Sequence, residues 1–156
     1  MTEFEGRLDA AGLRVSIIAA RFNDAIVTHL VRGAVGRLRQ LGARPEDVEV
    51  IWVPGAFEVP AAAEAAIAGG RADAIVCLGA VIRGATPHFD VIVDEVARGI
   101  GRIAARGEVG IGLGVLTCDT VEQAIERAGG KAGNKGSEAA EVAVEMRRLL
   151  TLLGET

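Results

Sequence analysis

The chain has 156 residues, half of them apolar and 24% charged, which is the length of one ordinary globular domain, expected over residues 1–156. No apolar run reaches the roughly 18 residues of a membrane span, and the first twelve residues lack the basic-then-apolar order of an export signal, so a cytoplasmic protein with no membrane partner is expected. A net charge of −4, scattered Lys and Arg, no Tyr and one Trp exclude the basic, aromatic-studded surface of a nucleic-acid binder, while Cys77 and Cys118, each in an apolar run, resemble neither a disulfide framework nor a metal-ligand pair.

The first twelve residues carry no helical period and read as an arm. The apolar, β-branched run Val15 to Ala20 then predicts a strand that ends in Arg21-Phe22-Asn23. Ile26, Leu30, Ala34 and Leu38 repeat every four residues with Arg32, Arg37 and Arg39 pointing elsewhere, which is an amphipathic helix. A second strand, Val48 to Val53, runs into Pro54 to Glu58, and a short alanine-rich helix follows with Pro60 in its first turn, where a missing amide hydrogen costs nothing. Ala74 to Ile82 is a third strand, leading into Arg83 to His88 and a helix whose inner face is Ile92, Val96, Ile100 and Ile103. The fourth strand, Val109 to Thr117, alternates Gly110, Gly112 and Gly114 with larger residues, so one of its faces is bare backbone against which something packs closely. A capping box at Asp119 or Thr120 starts a fourth helix. The chain breaks at the glycine-rich stretch from Gly129 to Gly136 and closes with a helix in which Ala139, Val142, Met146, Leu149 and Leu153 share one stripe.

Strands alternating with helices predict parallel pairing: an α/β three-layer sandwich, flavodoxin-like, with a central four-stranded parallel sheet, helices on both faces, and an N-terminal arm free to add a strand to a neighbouring subunit. In such sheets ligands bind beyond the carboxyl ends of the strands. Most of the chain's unusual chemistry falls on that rim.

The loop after the third strand carries most of it. Gly84 lets a ligand approach the backbone, and free amide hydrogens of Ala85 and Thr86 near a helix start attract an anion. His88 would stand beside that anion, and an imidazole, which titrates near roughly 6.5 in water, suits proton transfer at neutral pH. The alternative is that Thr86 only caps the helix and His88 is a solvated first-turn residue. Phe22 and Phe57 are loop aromatics suited to stacking on a planar heterocycle, or else core or interface residues. Glu58 can accept hydrogen bonds from a polyol, or simply place a charge at a helix start. Arg127 and Lys135 are candidate anion partners, and His29 reads as a surface residue.

Several motifs fail their context. The stretch from Gly130 to Lys135 lacks the spacing of a P-loop and follows a helix, and neither Gly99 to Ala104, inside a helix, nor Gly110 to Gly114, inside a strand, is a dinucleotide fingerprint. There is no G-x-S-x-G elbow and no metal-ligand spacing.

The ordered set ARFN (residues 20–23), VPGAFEVP (53–60), GAVIRGATPHFD (79–90), GVLT (114–117), QAIERAG (123–129) and KAGNKG (131–136), with Phe4-Glu5-Gly6 before it, resembles the 6,7-dimethyl-8-ribityllumazine synthase family over nearly the whole chain. The resemblance implies a transferase of riboflavin biosynthesis that condenses 5-amino-6-(D-ribitylamino)uracil with 3,4-dihydroxy-2-butanone 4-phosphate, releasing phosphate and water, with no cofactor and no metal. It implies that Phe22 stacks on the pyrimidine, that the backbone of Ala56 and Phe57 and the carboxylate of Glu58 hold the ribityl chain, and that Ala80, Val81 and Ile82 meet the pyrimidine edge. Ala85, Thr86 and Arg127 then hold the phosphate, His88 moves protons, and Lys135 lines the site. By the same resemblance the site lies between subunits, with Leu113, Arg127 and Lys135 coming from the neighbour. The resemblance also implies a homo-oligomeric assembly, a pentamer or a sixty-subunit shell, with riboflavin synthase as a further partner.

Two positions depart from the family pattern. Leu113 stands where the family usually has Phe, and Val91 where it often has Tyr, which implies looser packing on the pyrimidine ring. The rival readings are an archaeal-type riboflavin synthase of the same architecture, against which the complete phosphate seat argues, and a non-catalytic shell or flavin-binding scaffold. A flavodoxin-like signalling domain is a third, but it lacks the acidic cluster expected after its first strand.

Overall fold

In the computed structural model, which describes residues 1–155, the four apolar runs form one parallel sheet: β1 (Val15–Ala20), β2 (Val48–Val53), β3 (Ala74–Ile82) and β4 (Gly110–Cys118), in the order β2-β1-β3-β4. Residue 156 of the expected domain lies outside the described residues. The fourth strand is one residue later at each end than its sequence pattern predicts. β1 is buried along its whole length because both its neighbours and both sheet faces are covered, whereas β2, at the edge, leaves Val50 and Trp52 exposed.

Helices α1 (Asp24–Gln40), α2 (Val59–Ala68), α3 (His88–Ala105), α4 (Val121–Arg127) and α5 (Lys135–Gly154) connect and follow the strands. They divide the core into two layers. On one face Leu30, Ala34 and Leu38 of α1 pack with α5 on Ile17, Val76 and Leu78. On the other, Val59 and Ala63 of α2 and Val96, Ile100 and Ile103 of α3 cover Ile18, Ile75 and Cys77. Each fully buried Leu or Ile contributes about 1.5–3 kcal/mol of burial. The two layers hold the sheet rigid beneath its carboxyl rim.

The bare face of β4 is where α5 lies. A methyl group built on Gly110 would overlap the carbonyl oxygen of Ala143, one on Gly112 that of Ala139, and one on Gly114 would press on Ala139 and Leu78. Helix backbone rests directly on strand backbone, as the alternating glycines predict. That contact also corrects the expected inner stripe of α5. The residues buried are Gly136, Ala139, Ala140, Ala143 and Val144, while Val142, Met146 and Leu153 stay exposed. Ala139 and Ala143 are small enough for the helix backbone to rest on the β4 glycines, and Gly136 lets it rest on the Leu30 carbonyl of α1.

The glycine-rich break is more ordered than its composition implies. It forms a two-stranded hairpin, β5 (Ala128–Gly130) and β6 (Gly133–Asn134). Asn134 ends it by capping α5, its side-chain oxygen accepting from the amides of Gly136 and Ser137 while its amide donates to the carbonyl of His29 in α1 at 3.0 Å. The arm is partly tied down as well. A methyl on Gly6 would overlap the carbonyl oxygen of Glu145, and Arg148 donates to the carbonyls of Asp9 and Ala11. Gly6 to Ala11 thus lies on α5, and Phe4 and Leu8 remain exposed.

Candidate active site

The sheet order places the crossing point at β1 and β3, whose connections leave in opposite directions, and a cleft of about 630 Å³ opens there at the carboxyl ends. Each wall has a local cause. After β1, Arg21 and Phe22 turn toward β2, donating their amides to the carbonyls of Val53 (2.8 Å) and Pro54 (3.1 Å). This leaves the Phe22 ring 71% exposed at the mouth, too open for a core residue. After β2, Gly55 leads into a 3-10 turn, Ala56–Glu58, whose amide at Glu58 donates to the carbonyl of Gly55. The turn buries Ala56 and presents Phe57, 53% exposed, and Glu58 to the cleft. Ala80, Val81 and Ile82 form the floor from β3, and Gly84, Thr86 and His88 the far wall.

The loop from Gly84 to Pro87 precedes α3, which begins at His88 with Pro87 as its N-cap and no side-chain cap. Thr86 therefore does not cap the helix, and the bland alternative for this residue fails. Among the described residues no acceptor pairs with the amide of Ala85 or Thr86. Two free donors thus stand within three residues of His88, at the positive end of an 18-residue helix.

Arg83 braces that loop. Its amide donates to the carbonyl of Cys118 at 2.9 Å, its Nε to Asp119 at 2.8 Å and its Nη1 to Asp90 at 3.4 Å, and its guanidinium lies 4.3 Å from the centre of the Phe89 ring. The Asp119 hydrogen bond, against some desolvation, together with the two carboxylate charges, raises the arginine's affinity for its proton. With both carboxylates engaged, Arg83 is a strut between β3, α3 and β4 in place of a free anion partner. Sequence reading missed it. The signal was available as an Arg flanked seven residues on by an Asp across a glycine-containing loop.

Four of the named positions do not line this cleft. Ala85 is exposed beside it. Leu113 projects from the edge strand β4 and is 57% exposed. Arg127 ends α4, its Nη1 donating to the carbonyl of Gln123 at 3.0 Å, and lies close enough to Cys118 for its charge to act on that thiol, whose proton affinity burial raises, Arg127 lowers and Asp119 raises. The capping box is present at Thr120 and Gln123 and fixes α4 at the end of β4. Lys135 opens α5 and pairs with Glu138 at 2.7 Å. His29 instead borders a second hollow of about 500 Å³ with Ile125 and Gly129. Among the described residues no three His, Cys, Asp or Glu side chains converge as a metal site would require.

One comparison bears on this arrangement. The model of the family described as 6,7-dimethyl-8-ribityllumazine synthase matches residues 12–151, nearly the whole chain.

Proposed function

From a chain that belongs to the 6,7-dimethyl-8-ribityllumazine synthase family, a transferase family of riboflavin biosynthesis, we propose the following assignment of its cleft. The free amides of Ala85 and Thr86, a few residues from His88 and across from Phe22, are the observation that carries it. Phe22 stacks on the pyrimidine of 5-amino-6-(D-ribitylamino)uracil, and Ala80 to Ile82 meet its edge. The backbone at Ala56 and Phe57 and the carboxylate of Glu58 take the ribityl hydroxyls. The phosphate of 3,4-dihydroxy-2-butanone 4-phosphate sits on Ala85 and Thr86.

The chemistry asks for positioned proton transfers. Attack of the 5-amino nitrogen on the ketone gives a carbinolamine, and loss of water gives an imine. Proton removal next to the imine expels phosphate and leaves an enol, which takes a proton at its methylene carbon to become a methyl ketone, and the ribitylamino nitrogen attacks that carbonyl to close the ring with loss of a second water. His88, which starts α3 and lines the same cleft as Phe22 and Glu58, serves these transfers. The chain acts as one domain, in the cytoplasm, without cofactor.

The cleft is incomplete in one chain. Leu113, Arg127 and Lys135 belong to β4, α4 and α5, on the far side of β3 from Phe57, so we assign them to the site of a neighbouring copy. Arg127 then closes the phosphate seat as a fork and Leu113 packs on the pyrimidine. The exposed apolar side chains Phe4, Trp52, Leu113, Ile125 and Met146 support such an assembly. A pentamer fits that sharing, twelve of them would close a sixty-subunit shell, and riboflavin synthase is the partner that consumes the product.

The test is to incubate the protein with both substrates and follow lumazine absorbance and fluorescence together with phosphate release. His88→Ala should slow turnover about 100-fold while leaving assembly intact, the usual loss for a general acid–base. A rate equal to the uncatalysed condensation in the unaltered protein would reject the assignment.

A further inference from the structure

Where β1 ends, Asn23 does what no other non-glycine residue does among those described: it adopts the left-handed conformation, φ 63° and ψ 42°. Such geometry disfavours L residues other than Asn and Asp and concentrates at functional sites. Helix capping does not explain it, because the Asn23 side chain makes no cap hydrogen bond to α1. The side chain reaches β3 instead, its Nδ2 donating to the carbonyl of Ala80 at 2.8 Å.

That bond continues a ladder that has stopped. The pairing of β1 with β3 ends at Ala19 and Leu78, since Arg21 has turned to β2. The carbonyl of Ala80, two residues further along, is reached by the Asn23 amide in place of a strand. Phe22 therefore sits between two anchors, its own amide on Pro54 at the end of β2 and its neighbour's side chain on Ala80 at the end of β3. Its ring is exposed and its backbone is not free to move.

We infer that Asn23 is a positioning residue for the heterocycle: by holding the β1 end against Ala80 it sets the width of the slot between Phe22 and the Ala80–Ile82 edge, and so the fit of a planar pyrimidine. The inference rests on the assignment of Phe22 as the stacking ring. Loss of the bond widens the slot without touching the phosphate seat on the α3 side. The pyrimidine substrate then binds worse and the phosphorylated ketone does not.

The experiment measures kcat, both apparent KM values and the melting temperature for the unaltered enzyme, Phe22→Ala, Asn23→Gly, the double variant and Asn23→Asp. Glycine keeps the left-handed turn and removes only the amide. The Asn23→Gly enzyme should show a rise of about fivefold in KM for the pyrimidine substrate, as expected for one lost hydrogen bond. Its KM for the ketone phosphate should stay close to the unaltered value, and its melting temperature should fall by no more than about 2–4 °C, the cost of one lost hydrogen bond. Asn23→Asp, which keeps the shape but cannot donate to Ala80, should reproduce that rise. In the Phe22→Ala background Asn23→Gly should add nothing, because the residue acts through that ring. The inference is overturned if Phe22→Ala raises the pyrimidine KM and Asn23→Gly does not, if both KM values rise together with a fall in melting temperature well beyond about 4 °C, or if the full effect survives without Phe22. Phe22→Ala leaving the pyrimidine KM unchanged would instead reject the stacking role itself.

Discussion

Gly112→Ala is a small change with a large expected cost. The added methyl would overlap the carbonyl oxygen of Ala139 and stand 2.7 Å from its carbonyl carbon and 3.2 Å from its α-carbon. Carbon atoms pack at about 3.5–4.0 Å, so α5 would have to retreat by about 1 Å. It is not free to do so. Its start is tied to α1 through Asn134, and Arg37 of α1 pairs with Glu141 further along. Overpacking of a tight core costs about 1–3 kcal/mol, and collision with backbone, which has no rotamer to change, belongs at about 3. For a chain of this size each kcal/mol lowers the melting temperature by about 2–4 °C, so a fall of about 6–12 °C follows. Calorimetric melts at matched protein concentration measure it, since assembly adds a mass-action contribution. Gly36→Ala, on the exposed side of α1 with nothing within 4 Å, is the control and should raise the melting temperature slightly. A Gly112→Ala protein melting within about 2 °C of the unaltered one would refute the direct backbone contact of α5 on β4.

Arg127→Ala should raise the apparent KM for the phosphorylated ketone about tenfold or more, with the pyrimidine KM little changed, as for loss of a charge-assisted contact; steady-state kinetics with each substrate varied decides, and an unchanged ketone KM would reject the phosphate assignment. Acid should unfold the protein partly through Asp73. Its burial raises the carboxyl's proton affinity, but the hydrogen bonds and charge of Arg14 outweigh that and hold it below the usual carboxylate range. Its stabilising effect is present above the unfolded value near roughly 3.9 and is lost as pH falls through the lower folded value. Asp73→Asn should therefore be less stable at pH 7 and lose less on acidification, measured by denaturant titrations across that range. Burial pushes the Cys77 thiol up to about 12 and raises Cys118 as well. Iodoacetamide at pH 8 should label neither in the folded protein and both after denaturation, by mass spectrometry.

The four strands, the amphipathic faces of α1 and α3, and the capping box at Thr120 were legible from local pattern, because periodicity and caps depend on residues within a turn or two of each other. So was the rim. Once the strands are known to be parallel, the residues after each carboxyl end must gather there, which brings Phe22, Glu58 and His88 together from the chain order alone. The ordered motifs were specific enough to point to the family that the comparison then showed.

Other features depended on what lies across from a residue, which spacing along the chain does not report. The inward face of α5 was misjudged because hydrophobicity favoured Val142 and Met146, whereas the glycine face of β4 meets the backbone of α5 itself at Ala139 and Ala143, and Gly136 lies against the Leu30 carbonyl of α1. Arg83 became a strut only when Asp119, 36 residues on, came within 2.8 Å of its Nε. Asn23 was legible only as a residue at the end of the first strand, and its bond to Ala80, 57 residues away, exists because β1 and β3 are neighbours in the sheet. The sequence by itself determined which elements form and which chemistry gathers at their ends. The tertiary structure decided which of those groups meet, since burial and hydrogen bonding belong to pairs of surfaces and not to either one alone.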